Sequence, residues 1–73
     1  MTEKQIFILN EVYFKTNNGD FITIGELETL TGFSGSELRP ILEDLKQEGL
    51  IVEHQEGFQL SRHGLTICRT KWD

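Results

Sequence analysis

The sequence predicts a mainly helical α+β fold: a three-helix core, a two- to three-stranded β-hairpin region and a short C-terminal helix. Three observations carry that prediction. Thr2 with Gln5, Thr23 with Glu26, and Ser34 with Glu37 each stand just before a stretch whose apolar residues recur at helical spacing. In each pair the hydroxyl is placed to accept the backbone N–H three residues on while the longer side chain reaches back. The run SGSELRPILEDLKQEGLI, Ser34 to Ile51, reads as a capped amphipathic helix, a glycine stop and an apolar strand. VEHQEGFQLS follows at once with a turn and a returning strand. A chain of 73 residues makes one domain, residues 1–73, around one modest core.

The first helix is predicted from Glu3 to Lys15. Ile6, Leu9, Val12 and Tyr13 share one face, Phe7 and Phe14 form a second stripe, and Lys4, Glu11 and Lys15 mark the solvent side. The Phe stripe is expected to pack inside, against Trp72 of the last helix, because exposed aromatics are costly. A homodimer seam through Phe7, Phe14 and Trp72 is the competing reading. TNNGD supplies a turn, and Phe21-Ile22-Thr23 a very short strand. The second helix spans Ile24 to Leu30 and is expected to bury Ile24, Leu27 and Leu30. Gly32 ends it in the left-handed conformation, and Phe33 plugs the core from the turn.

The third helix runs from Gly35 to Glu48, with Leu38, Ile41, Leu42 and Leu45 within about 100° of arc. Pro40 removes the hydrogen bond to the Ser36 carbonyl. That carbonyl lies in the first turn, open to solvent, so a slight bend is expected rather than a break. Gly49 stops the helix, Leu50-Ile51-Val52 opens a strand, Gln55-Glu56-Gly57 turns, and Phe58 and Leu60 return with period two. Ser61 is placed to cap the last helix, on which Leu65, Cys68 and Trp72 share a face.

Hydrophobic residues make up 37% of the chain and charged residues 26%, the balance of a soluble globular protein. No apolar run approaches the roughly 18 residues that span a bilayer, and MTEKQIFILN does not read as a signal peptide. No membrane association is expected. The single cysteine, Cys68, forms no internal disulfide, which fits a cytoplasmic location. His54, His63 and Cys68 are the only soft metal ligands and lack paired spacing, so they read as surface histidines and a half-buried thiol, with no metal or cofactor. With no glycine-rich phosphate loop, nucleophile–base frame or paired carboxylates, the chain does not read as an enzyme.

The formal net charge is −5, and it is unevenly spread. Residues 34–56 hold Arg39 and Lys46 against Glu37, Glu43, Asp44, Glu48, Glu53 and Glu56, a sum of −4. Residues 57–73 hold Arg62, Arg69 and Lys71 against Asp73, a sum of +2.

TIGELETLTGFSGSELRPILEDLKQEGLI has the order short helix, turn, third helix, then Leu-x-x-Leu-x-x-x-Gly-Leu-Ile. FQLSRHG is similar to the Leu-Thr-x-x-Gly element that closes the wing of MarR-like proteins, with Ser61 in place of Thr. RPILEDLKQEGLI resembles PadR-like proteins, in which a proline at this point is common. From Thr23 to Gly64 the chain thus resembles a winged helix-turn-helix of the MarR and PadR type of bacterial transcriptional regulator. The resemblance implies double-stranded DNA as partner, with the third helix in the major groove and the wing on adjacent backbone. It places Ser34, Ser36, Glu37, Arg39, Pro40 and Glu43 toward the groove and His54, Gln55, Glu56 and Gly57 at the wing tip. The expected DNA-binding set is Ser34, Ser36, Arg39, Glu43, Lys46, His54, Gln55, Arg62, Arg69 and Lys71. Arg39 is the main polar reader, and Arg62, Arg69 and Lys71 lie on phosphates.

A second expectation comes from charge. The outward ridge of the third helix, Ser36, Pro40, Glu43 and Gln47, has a carboxylate at its centre, flanked by Arg39 and Asp44. Phosphate binding releases roughly one counterion per cationic contact, whereas an acidic ridge suits a protein partner. The alternative is therefore an acidic winged-helix protein-interaction module that does not touch DNA.

Overall fold

All three hydroxyl–Glu/Gln triplets close as reciprocal caps in the computed structural model, which describes residues 1–72, with the side chains of residues 1–70. The Gln5 N–H donates to Thr2 Oγ1 at 3.2 Å while the Thr2 N–H donates to Gln5 Oε1 at 3.0 Å, opening α1 (Glu3–Thr16). Thr23 and Glu26 exchange the same pair at 3.1 and 3.0 Å to open α2 (Ile24–Thr31). Ser34 and Glu37 do so at 3.2 Å in both directions to open α3 (Gly35–Gln47). Each box satisfies two of the donors that a helix start leaves free.

The helix ends are also set locally. Gly32 takes φ 77° after α2. After α3, Gly49 sits at φ 73°, its N–H donates to the Lys46 carbonyl at 2.9 Å, and the Leu50 N–H donates to the Leu45 carbonyl at 3.0 Å. That double bond pattern is the Schellman stop, and buried Leu45 and Leu50 supply its apolar contact. Pro40 lies inside α3, which continues through it to Gln47.

The chain then forms β1 (Ile51–His54) and β2 (Gly57–Leu60), an antiparallel hairpin paired Ile51↔Leu60 through His54↔Gly57. The expected third strand is reduced to a single bridge. Ile22 and Phe58 exchange N–H···O bonds at 3.0 and 2.7 Å, and among the described residues no longer pairing forms there. Gly57 is required beside this bridge, because its φ is 143° and a Cβ there would lie 2.6 Å from the Ile22 carbonyl oxygen. Gln59 Nε2 donates to the Gly19 carbonyl at 2.7 Å, tying the hairpin to the loop between α1 and α2. The last helix, α4, spans Arg62–Trp72.

These elements give the α+β, mainly helical class that the sequence predicts. The core is Ile8, Leu9, Val12 and Tyr13 of α1, Ile22, Leu27 of α2, Leu38, Leu42 and Leu45 of α3, Leu50, Ile51, Phe58 and Cys68. Ile24, Phe33, Ile41, Leu60 and Leu65 pack against it while partly exposed. Three expectations need correction. Leu30 is 45% exposed: it stands in the last turn of α2, one turn beyond the buried Leu27, and lines an open groove with Lys15. Phe14 is 61% and Phe7 41% exposed, so the second stripe of α1 does not pack inside. Ile8, next to Phe7, takes the buried place instead, and Phe7 meets Phe33 edge-on with 5.9 Å between centroids. Cys68 is fully buried rather than half-buried. The side chain of Trp72, expected against that stripe, lies outside the described residues. None of the described helices is long and apolar enough to cross a membrane.

Candidate functional site

The residues that the sequence places on DNA fall on three surfaces: the outer side of α3, the hairpin end, and α4. At the start of α3, Ser34 spends its hydroxyl on the cap, accepting from the Glu37 N–H. The next N–H, that of Gly35, donates to Glu28 Oε2 at 2.9 Å. A carboxylate from α2 therefore occupies the positive end of the α3 dipole and fixes how the two helices meet across the turn. Ser36 and Arg39 lie exposed on the following turn, and Arg39 makes no ion pair among the described residues.

The acids of α3 have partners. Glu37 lies 3.8 Å from Lys4 of α1, whose ammonium also stands 5.5 Å from the centre of the Phe33 ring. Asp44 Oδ2 accepts from Gln5 Nε2 at 3.0 Å. Glu43 Oε1 lies 3.3 Å from Lys46 Nζ, and Glu53 Oε1 of β1 lies 2.8 Å from the same nitrogen. Lys46 thus joins α3 to the hairpin, and the hydrogen bonds it donates to Glu53 and Glu43 raise its pKa above the usual lysine value. It remains charged at neutral pH, but its charge is matched twice over.

The hairpin turns at Gln55-Glu56 and carries no lysine or arginine from Ile51 to Leu60. His54 leans edge-on against Phe21, with centroids 5.1 Å apart. That contact packs the end of β1 against the loop between α1 and α2.

The start of α4 is built by a compact lock. Ser61 Oγ accepts from the Gly64 N–H at 2.9 Å, as an N-cap does, and donates to the Gly49 carbonyl. The Ser61 N–H donates to the Leu50 carbonyl at 3.0 Å. Gly64 packs so closely on Leu50 that a Cβ at position 64 would collide with the Leu50 carbonyl oxygen. This is the physical content of the Ser-x-x-Gly spacing: it pins α4 to the end of α3. Arg62 and Arg69 then project into solvent with His63. Burial pushes the Cys68 thiol pKa up on the opposite face. The Lys71 side chain lies outside the described residues.

Sequence reasoning missed Glu28, Glu53 and Gln5 as partners of this surface. Lys46 with Glu43 is legible as an i,i+3 helix pair. The other contacts cross between elements and leave no periodic trace. An open groove of about 520 Å³ between the end of α1 and α2 is lined by Lys15, Thr23, Gly25, Glu26, Thr29 and Leu30. Its one carboxylate, Glu26, is engaged in the α2 cap. Among the described residues, no three His, Cys, Asp or Glu side chains converge as metal ligands. Compared with known proteins, the chain matches no family model, no curated protein and no solved structure.

Proposed function

We propose that the chain is a winged helix-turn-helix that binds double-stranded DNA as a transcriptional regulator, with α3 in the major groove and the hairpin as its wing. The observation that carries this reading is the unit α2–turn–α3. Glu28 ties the pair together through the α3 N-terminus, and the N-terminal half of α3 exposes Ser36, Pro40 and Arg39, which makes no ion pair among the described residues. The N-terminal residues of a recognition helix are those that reach base edges. The charges of the neighbouring acids are partly offset: Glu37 lies 3.8 Å from Lys4, Asp44 accepts from Gln5, and Glu43 lies 3.3 Å from Lys46. A duplex titration tests the reading. Binding should be measurable at about 50 mM salt and fall steeply toward about 200 mM, and Arg39→Ala should relax sequence preference. Absence of binding at the low-salt end rules out DNA contact by the free protein.

A second reading is favoured by the Lys46 clamp. It takes up one of the few cations of the expected DNA-binding set and leaves Glu56 on a hairpin that has no lysine or arginine of its own. On that reading α3 and the hairpin dock a basic protein segment. Glu43→Lys would then abolish capture of a lysine- and arginine-rich partner while leaving DNA binding undetected. In either case a homodimer through the α1 stripe of Phe7 and Phe14 is part of the proposal.

A further inference from the structure

The charge at the start of α4 runs against what the folding of a helix favours. Residues 1–61 hold four Lys or Arg against eleven Asp or Glu, a net −7. The eleven residues of α4 hold Arg62, Arg69 and Lys71 and no acid, a net +3. Arg62 and His63 stand in the first turn of α4, where the helix dipole disfavours cations. Lys4 and Lys46 both find carboxylates, yet Arg62 and Arg69 make no ion pair among the described residues. Arg69 lies in the last turn, where the dipole favours a cation, but Arg62 stands against the dipole and without a carboxylate partner among the described residues, in a protein with many more acids than bases. Arg62, His63, Thr66, Arg69 and Thr70 are all exposed and fall within about 120° of arc. The buried side is left to Gly64 and Cys68.

We infer that this face of α4 is a phosphate-backbone contact, separate from the base-reading surface of α3; the inference rests on the DNA reading above. Arginine is the side chain whose planar fork matches phosphate oxygens. Arg62 and Arg69 are seven residues apart, about 10 Å along the helix axis, which matches about three charge steps of one DNA strand. The lock of Ser61 onto Gly49 and Leu50 starts this face at the C-terminal end of α3. The hairpin turn, with Gln55 and Glu56, offers no cation for the role that a wing would fill. Affinity and reading are thereby divided: α4 supplies sequence-independent attraction and α3 supplies preference.

The test is fluorescence anisotropy on a labelled duplex of mixed sequence over about 50 to 200 mM salt. It compares the unaltered chain, Arg62→Gln/Arg69→Gln, Arg39→Ala and Lys15→Gln, with thermal melts confirming that each variant folds. The double variant should flatten the slope of log affinity against log salt by about 2 and weaken all sequences alike. Lys15→Gln, which removes an exposed cation elsewhere, should leave slope and affinity nearly unchanged. If the unaltered chain binds but the double variant keeps its slope, the α4 contact is wrong and the DNA reading stands. If Lys15→Gln loses as much as one arginine does, only net charge matters and the α4 contact is again wrong. If the unaltered chain does not bind at all, the DNA reading itself falls and takes this inference with it.

Discussion

Gly64 and Ser61 show how much one residue settles in a chain this small. The Leu50 carbonyl occupies the place that a Cβ at 64 would need, so Gly64→Ala must push α4 off the end of α3. Overpacking of this kind costs about 1–3 kcal/mol, and chemical denaturation should find a loss in that range. Ser61→Ala removes the hydroxyl that accepts from Gly64 and donates to Gly49; loss of an N-cap costs about 1 kcal/mol. The two losses should not add, because both act on the same junction. Cys68 tests the same helix from its buried side. Burial raises the thiol pKa, so the reactive thiolate is scarce in the folded protein. A thiol reagent should label Cys68 slowly in the native state and quickly in denaturant. Native labelling as fast as that of the unfolded chain would contradict the burial. The linkage has a sign. A thiol whose folded pKa is raised gives full stability below the unfolded value near 8.5 and loses it as pH climbs toward the folded value. Stability should therefore decline in mild alkali, and Cys68→Ser should remove that part of the decline.

At the scale of elements, what the sequence disclosed and what it hid divide by range. The three capping boxes, the Gly32 and Gly49 stops, the α3 core face and the hairpin depend on residues within a few positions of one another, so their spacing was readable. The element starts fall on the expected residues: Glu3, Ile24 and Gly35. The second faces of α1 and α2 were not readable, because helical spacing defines a stripe but not what lies opposite it. Ile8 and Phe7 are neighbours in sequence, and only the position of the packed elements decides that Ile8 is enclosed and Phe7 is left at the edge. The same holds for the candidate site. Arg39, Arg62 and Arg69 were read as exposed cations and are exposed, whereas the pairing of Lys46 with Glu53 joins positions seven apart across a helix end and a turn. That pair carries a prediction. Its partners raise the Lys46 pKa, so its contribution is complete below the unfolded lysine value near 10.4 and is lost as pH rises through the folded one. Around neutral pH the clamp is intact. Lys46→Gln should speed amide exchange in β1 far more than in α1, measured by hydrogen exchange; equal protection in both proteins would mean that the clamp does not hold the hairpin to α3.

At the scale of the whole molecule, charge decides where two copies can meet. Each chain carries −5, so most pairs of surfaces repel at low salt. The element α1 is an exception: Glu3 and Glu11 balance Lys4 and Lys15. It is also where apolar surface is left uncovered, with Phe14 at 61% and Phe7 at 41% exposure on one stripe. A neutral helix bearing two exposed aromatics in line is the face across which self-association meets least like-charge repulsion and buries most apolar area. Phe14 is largely exposed, and among the described residues its one aromatic neighbour is Tyr13 at 5.5 Å, so Phe14→Glu should leave the melting temperature nearly unchanged. It should nevertheless abolish a concentration-dependent dimer in sedimentation equilibrium. Raising salt from about 50 to 200 mM should strengthen that dimer, because screening reduces the repulsion between the acidic bodies while leaving the aromatic contact intact. The DNA binding proposed for α3 and α4 should weaken over the same salt range. The two measurements must therefore run in opposite directions, and a dimer that dissolves with salt would place the contact on charged surfaces instead of on α1.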